Sequence, residues 1–344
     1  MLYATTRNNQ TVETAYKVTH SDCAGDGGLY VPFRLSRFSP EEIRALGDYN
    51  CAQNIAQILN LFFSCGLTGW DVEFLIGRAP IKINTITHRI FISEAWHNNQ
   101  WKMDHLIRTL SDRIRKEPGA VGNWVDVGVR IAVLFGIYGQ LLASGQAEQD
   151  TSVDVAVTSG DFAMPMAAWY AREMGLPINN IVCGSNANGG IWDLIHRGEL
   201  STGTVAVRTT TPESDIALPR NLERLIYGTL GYDGVSHYLD CVRKGALYAP
   251  EEEAFEKLRK GIFASVISDF RVSNIIHSVY RTSNYVFSPY AALAYGSLLD
   301  YRAKTGESRA ALLICERSPI CDSELVASAM QVEVPELIKR IQIS

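Results

Sequence analysis

From Ser39 onward, apolar positions recur at helical spacing. The run "SPEEIRALG" (39–47) sets a serine ahead of a proline and two glutamates and ends at Gly47, which predicts a capped helix. In "NIAQILNLFFSCG" (54–66) the apolar residues fall three and four apart and a glycine closes the run. Residues 40–76 therefore read as helical. Two short runs, "APIKINTI" (79–86) and "HRIFISEAW" (88–96), read as strands. A helix is expected to begin near Lys102 and to stop in "RKEPGAVG" (115–122), where Pro118 and two glycines break the pattern. Beyond it, "NWVDVGVRIAVLFGIYGQLLASG" (123–145) is mostly apolar on all sides, the mark of a buried helix.

After Val153 the alternation becomes regular. "VDVAVTSGDF" (153–162) is a β-rich run ending in a small polar turn, and "AMPMAAWYAREMG" (163–175) is a helix with Pro165 in its opening turn. "INNIVCGSNANGG" (178–190) gives a strand and loop, "IWDLIHRGEL" (191–200) a helix, and "GTVAVRTT" (203–210) a further strand. "ALLICERS" (311–318) reads as one more buried strand. Strands alternating with helices imply βαβ units, a parallel sheet and helices on both of its faces, an α/β fold.

Composition narrows the classes. The 344 residues are 47% hydrophobic and 20% charged with a net charge of −5, enough to bury a large core and without the basic footprint of a nucleic-acid binder. No apolar run reaches the about 20 residues needed to span a bilayer. The N-terminal "MLYATTRNNQTVETAY" lacks a signal-peptide layout, so a cytoplasmic protein is expected. Seven scattered cysteines with no C-x-x-C spacing, and histidines without H-x-x-x-H spacing, argue against a disulfide framework or a metal site.

In such folds ligands sit off the carboxyl ends of strands, where helix N-termini point outward. "TSGDFAMPM" (158–166) is a loop of that type, able to rest a phosphate or another small anion against backbone N–H groups. A tight strand-to-helix turn with a serine or aspartate cap explains the same residues without any ligand. "GSNANGG" (184–190) lacks the G-x-G-x-x-G spacing of dinucleotide sites.

Four stretches, in order, carry a resemblance. "DGGLYVP" (26–32) resembles the N-terminal signature of threonine synthases, enzymes of the type II pyridoxal-phosphate (PLP) fold. "VAVTSGDFAMPMAAWYAREMGLPINNIVCGSNANGG" (155–190) is similar to their phosphate-loop strand, loop and helix. "ALPRNLERLIYGTLG" (217–231) resembles their S-x-N-x-E-R helix, and the segment 258–296 resembles the one that ends in a D-P-H-T-A motif. The resemblance implies a type II PLP-enzyme-like parallel sheet, a helical N-terminal region over 1–78, a remnant of the small domain over 79–122, and a large α/β domain over 123–344. It also implies PLP as cofactor, a lyase reaction on a phosphorylated or related amino acid (O-phosphohomoserine in the family), and it leaves homo-oligomer formation open. In "WHNNQWKMDH" (96–105), Lys102 takes the place of the family's Schiff-base lysine, after His97 and Trp101. Ser159, Gly160, Asp161, Phe162 and Ala163 take the place of the phosphate loop, and Cys315 that of the residue meeting the pyridine nitrogen.

The chain also departs from the family. The interval from His97 to Lys102 is two residues short, Met103 separates Lys102 from Asp104, and the S-G-D-T-G substrate loop is missing with most of its domain. Asp161 and Met164 stand where the family has amide and small polar residues, and Ser288, Pro289 and Tyr290 replace Asp, Pro and His. A carboxylate about 4 Å from a phosphate costs roughly 4 kcal/mol at an effective dielectric near 20. Two functions of different class follow: a shortened PLP-dependent lyase, or a catalytically inactive homologue kept as a binding or structural protein.

Overall fold

The computed structural model describes residues 1–21, 23–76, 81–94, 123–148 and 151–343. The chain opens with an antiparallel hairpin, β1 (Leu2–Thr5) and β2 (Asn8–Thr14), and a short helix α1 (Ala15–Thr19); β3 (Tyr30–Pro32) then pairs with β1, giving the order β2-β1-β3. The helices read over 40–76 are present as α2 (Pro40–Ala45), α3 (Cys51–Phe63) and α4 (Gly69–Ile76), while the strands before them were not read from the sequence. The capping predicted for α2 is present: Ser39 accepts from the Glu42 amide, and Glu42 returns a bond to the Ser39 N–H.

Two strands, β4 (Lys82–Thr87) and β5 (Ile90–Glu94), and the long helix α5 (Asn123–Ala143) come next. Both strands join the main sheet. The expected helix near Lys102 and its stop at Pro118 lie outside the described residues. By length and composition, Trp124–Ala143 is apolar enough to cross a bilayer (mean hydropathy 1.5), which the sequence reading had not allowed; 78% of that stretch is buried inside the protein. It packs on α3 at close range. A Cβ on Gly139 would stand 2.7 Å from the Leu46 carbonyl oxygen and 2.3 Å from Asn54 Nδ2, so only glycine lets the two segments meet there.

The remaining elements are β6 (Val153–Thr158), α6 (Ala163–Glu173), β7 (Ile178–Ser185), α7 (Gly190–Arg197), β8 (Leu200–Ser201), α8 (Leu222–Lys244, interrupted at Gly231), β9 (Leu247–Tyr248), α9 (Glu252–Arg259), β10 (Ile262–Val266), α10 (Asp269–Ser283), α11 (Pro289–Thr305), β11 (Ala311–Cys315), α12 (Ser323–Met330) and α13 (Val334–Ile343). The six-stranded sheet runs β10-β7-β6-β11-β5-β4, parallel except for β4, which pairs antiparallel with β5. Its inner strands β5, β6 and β11 are buried on both sides, as their continuous apolar runs require. One apolar core lies between the sheet and the N-terminal region with α3, α5, α6 and α7; the other lies under α10, α11, α12 and α13.

The "GTVAVRTT" stretch is no strand. Residues 203–208 lie exposed, and the Asn188 side chain bonds both the N–H (2.7 Å) and the C=O (2.9 Å) of Val207, so β-branched composition alone did not find a sheet neighbour.

Candidate functional site

The order in which strands are added reverses between the parallel neighbours β6 and β11: β7 and β10 lie to one side, β5 and β4 to the other. Loops leaving the carboxyl ends of β6 and β11 part at that point and open a cleft. A cavity of about 140 Å³ lies there, lined by the β6 loop (Ser159, Gly160, Asp161), Met164 of α6, Arg130 of α5, Glu213 and Ser214, Tyr290 of α11, and Glu316 and Arg317 after β11.

The β6 loop turns through two left-handed residues, Gly160 (φ +41°) and Phe162 (φ +67°). A Cβ on Gly160 would meet nothing within 4 Å, so the loop's crest faces open space. A left-handed phenylalanine is costly, and burial of its ring in the core (1% exposed) holds it there. The loop's amides are partly committed. Ser159 N–H donates to the Gly184 carbonyl (2.9 Å) and Phe162 N–H to the Ser159 carbonyl (2.7 Å). Ala163 N–H donates to Asp161 Oδ1 (2.9 Å), so the loop binds its own carboxylate. Asn221 donates to the Asp161 carbonyl from its backbone (3.2 Å) and its side chain (3.2 Å), and the Ser185 hydroxyl donates to Ser159 Oγ (2.9 Å). Among the described residues, the amides of Gly160 and Asp161 have no partner.

Two guanidinium groups face this loop. Arg130 Nε donates to Glu316 Oε1 at 2.9 Å. Burial works against its charge, but the carboxylates of Glu316, Asp161 and Asp126 outweigh it and hold the group above its ordinary value. Arg317 donates to Asp322 Oδ2 (2.9 Å) and to Glu213, and lies 5.5 Å from the centre of the Tyr290 ring. Burial pushes the Tyr290 phenol up to about 12. The lining thus carries two cations (Arg130, Arg317) against three carboxylates (Asp161, Glu213, Glu316), a net charge of −1.

Of the residues named from sequence, Ser159, Gly160 and Asp161 line the cavity. Phe162 and Ala163 are buried behind it, and Cys315 ends β11 at 3% exposure, its Sγ 3.3 Å from the Arg317 carbonyl and 3.6 Å from Ser288 Oγ. Lys102, with His97, Trp101, Met103 and Asp104, lies outside the described residues. Sequence reading passed over Arg130, Glu213, Glu316 and Arg317. A single arginine inside an otherwise apolar helix, and a charged pair directly after a buried strand, were the available signals. Among the described residues no group of three or more His, Cys, Asp or Glu gathers as a metal site.

Comparison with known proteins adds the kinship. A family model for the threonine synthase N terminus matches residues 2–79. Human threonine synthase-like 1 is 30% identical over 176 residues, which is 50% of this chain and 24% of that protein. Threonine synthase of Pseudomonas aeruginosa is 25% identical over 223 residues, 63% of this chain and 43% of that protein. The matched stretches thus span less than half the length of these relatives. A PLP-bound threonine synthase from Brucella melitensis superposes with a TM-score of 0.82 at 18% identity, covering 99% of this chain and 94% of that one.

Residues 2–79 match the threonine synthase N-terminal model, and the chain has the fold of the threonine synthases. The yeast threonine synthase structure gives the same fold (TM-score 0.79, 15% identity, 99% and 94% covered). Within that fold, the residues that carry the sequence resemblance hold the frame together. Glu223, of the E-R pair in α8, accepts from Thr6 Oγ1 (2.5 Å) and from Arg7 Nε and Nη2 (3.0 and 2.9 Å). Arg224 beside it donates to the Tyr30 carbonyl (3.1 Å), and Asp26 accepts from Thr5 Oγ1 and the Gly28 amide (2.7 Å each). Glu223 and Arg224 clamp the N-terminal sheet onto α8, and Asp26 braces that sheet from within.

Proposed function

We propose that this threonine synthase homologue has left the phosphate-anchored chemistry of the family and serves as a non-catalytic binding or structural protein. One observation carries the reading: the Asp161 carboxylate accepts from the Ala163 amide inside the loop where a cofactor phosphate would seek that donor. A PLP phosphate placed there loses one N–H and meets a like charge, in a cavity of about 140 Å³ whose lining is already net negative. The residues present therefore do not fit the group well. Replacement of the family's acid and imidazole by Ser288 and Tyr290, and loss of the S-G-D-T-G loop, support the same reading.

A second reading, a PLP-dependent lyase with Lys102 as its reactive amine, is favoured by the partnerless Gly160 and Asp161 amides at the start of α6 and by Arg130 opposite them. Bound PLP would supply an electron sink for an amino-acid substrate; Ser159 and Gly160 would hold its phosphate.

Titration of the purified protein with PLP, followed by borohydride reduction and peptide mapping, separates the two. The scaffold reading expects no visible absorbance beyond that of free PLP and no modified lysine. Uptake of PLP with reduction onto Lys102, abolished in Lys102→Ala, would overturn it in favour of the lyase. Asp161→Asn removes the like charge, about 4 kcal/mol before solvent screening, and should raise PLP affinity by at least about tenfold in the same titration.

A further inference from the structure

A second cavity, about 660 Å³, shares no lining residue with the cleft. It lies at the amino-terminal end of β10, between α7, α9 and the last turn of α11. Its floor is aromatic. The His196 ring centre lies 5.2 Å from that of Phe263, and Phe263 lies 5.3 Å from Tyr301. His196 Nε2 meets the Ala264 carbonyl at 2.7 Å, so that nitrogen carries the proton and Nδ1 stays an acceptor; burial keeps the imidazole below its ordinary value and hence neutral near pH 7.

The rim is cationic. Four cations line it (Lys257, Arg259, Lys260, Lys304) against two carboxylates (Glu253, Glu256), a net charge of +2. Lys257 pairs with Glu253 at 2.7 Å and Arg259 with Glu256 at 2.5 Å. Lys260 and Lys304 have no acid within ion-pair distance among the described residues, and Lys304 Nζ stands 5.8 Å from the Phe263 ring centre. Two uncompensated ammonium groups beside an aromatic wall select a ligand with a flat ring and at least two negative charges.

We propose that this groove is a binding site for a nucleoside phosphate, with the base on Phe263 and the phosphates on Lys260 and Lys304. The volume falls in the range of small-molecule sites, roughly 300 to 1,000 Å³. Base stacking on an aromatic side chain and charge-assisted bonds to lysine supply the two halves of the affinity. A bare polyphosphate would leave the rings unused; a nucleoside would leave both lysines uncompensated. The proposal goes beyond the reading of the cleft and does not depend on it.

The test is calorimetric titration of the full chain with ATP, adenosine and inorganic triphosphate. ATP should bind at least about tenfold more tightly than either fragment. Lys260→Glu and Lys304→Glu should each weaken ATP by about tenfold or more while leaving the far-ultraviolet circular dichroism unchanged. Arg130→Gln, in the cleft, should leave ATP affinity unchanged. Failure of ATP to bind, triphosphate binding as tightly as ATP, or affinity indifferent to both charge reversals would each overturn the proposal. Loss of ATP binding in Arg130→Gln alone would place the nucleotide in the cleft and overturn it as well.

Discussion

His196 shows how one side chain can set a pH response. Burial is the main cause depressing its pKa below the ordinary 6.5, with nearby Lys304 and Arg259 adding to it and the Ala264 carbonyl opposing. Just below that value the unfolded chain binds more protons than the folded one, so this contribution to stability is complete above 6.5 and declines as pH falls through the window beneath it. Melting temperatures at about pH 7.5 and about pH 5.5 should therefore converge more in His196→Gln than in the wild type. Glu223 poses a charge question instead. It is 5% exposed and receives three bonds from Thr6 and Arg7, so Glu223→Ala strands a buried hydroxyl and a half-buried guanidinium. Urea unfolding should report a loss of about 3 kcal/mol, and Glu223→Gln a smaller one, because the amide still accepts.

At the scale of elements, legibility followed how local the cause was. The cap and stop signals of α2 and α3 lie within a few residues of one another, and both helices formed where the spacing put them. The strands β6, β7 and β11 were also legible, since burial on both faces demands unbroken apolar runs. The β1–β2 hairpin was not. Its "NNQTVET" strand is mostly polar and owes its place to β1 and to the clamp from α8, more than two hundred residues away. The contact of α5 with α3 was equally hidden, because a glycine in a helix does not announce what approaches it. Gly139→Ala would drive a methyl against the Leu46 carbonyl, a backbone atom with little room to retreat. A loss of about 2 kcal/mol in chemical denaturation is expected, with the far-ultraviolet spectrum of the folded state retained.

For the whole molecule, the motifs most readable in sequence proved to be those that join its parts. Glu223 and Arg224 bind the N-terminal sheet to α8, Asp26 braces that sheet from within, and the joint is needed whether or not any reaction takes place. The cleft was harder to read, because its charges come from four separate places: Arg130 in a buried helix, Asp161 after β6, Glu213 in a short turn, and the pair after β11. Only their convergence gives each a role, and convergence is a property of topology.

The last strand in the sheet order has a further consequence. Among the described residues β10 pairs with β7 alone, and its outward carbonyl at Ala264 is occupied by the His196 ring. An uncovered border of this kind is a template on which a strand of another molecule can add. Truncating that ring to a methyl in His196→Ala should make concentrated solutions of the otherwise folded protein associate slowly edge to edge, visible as growth in scattered light.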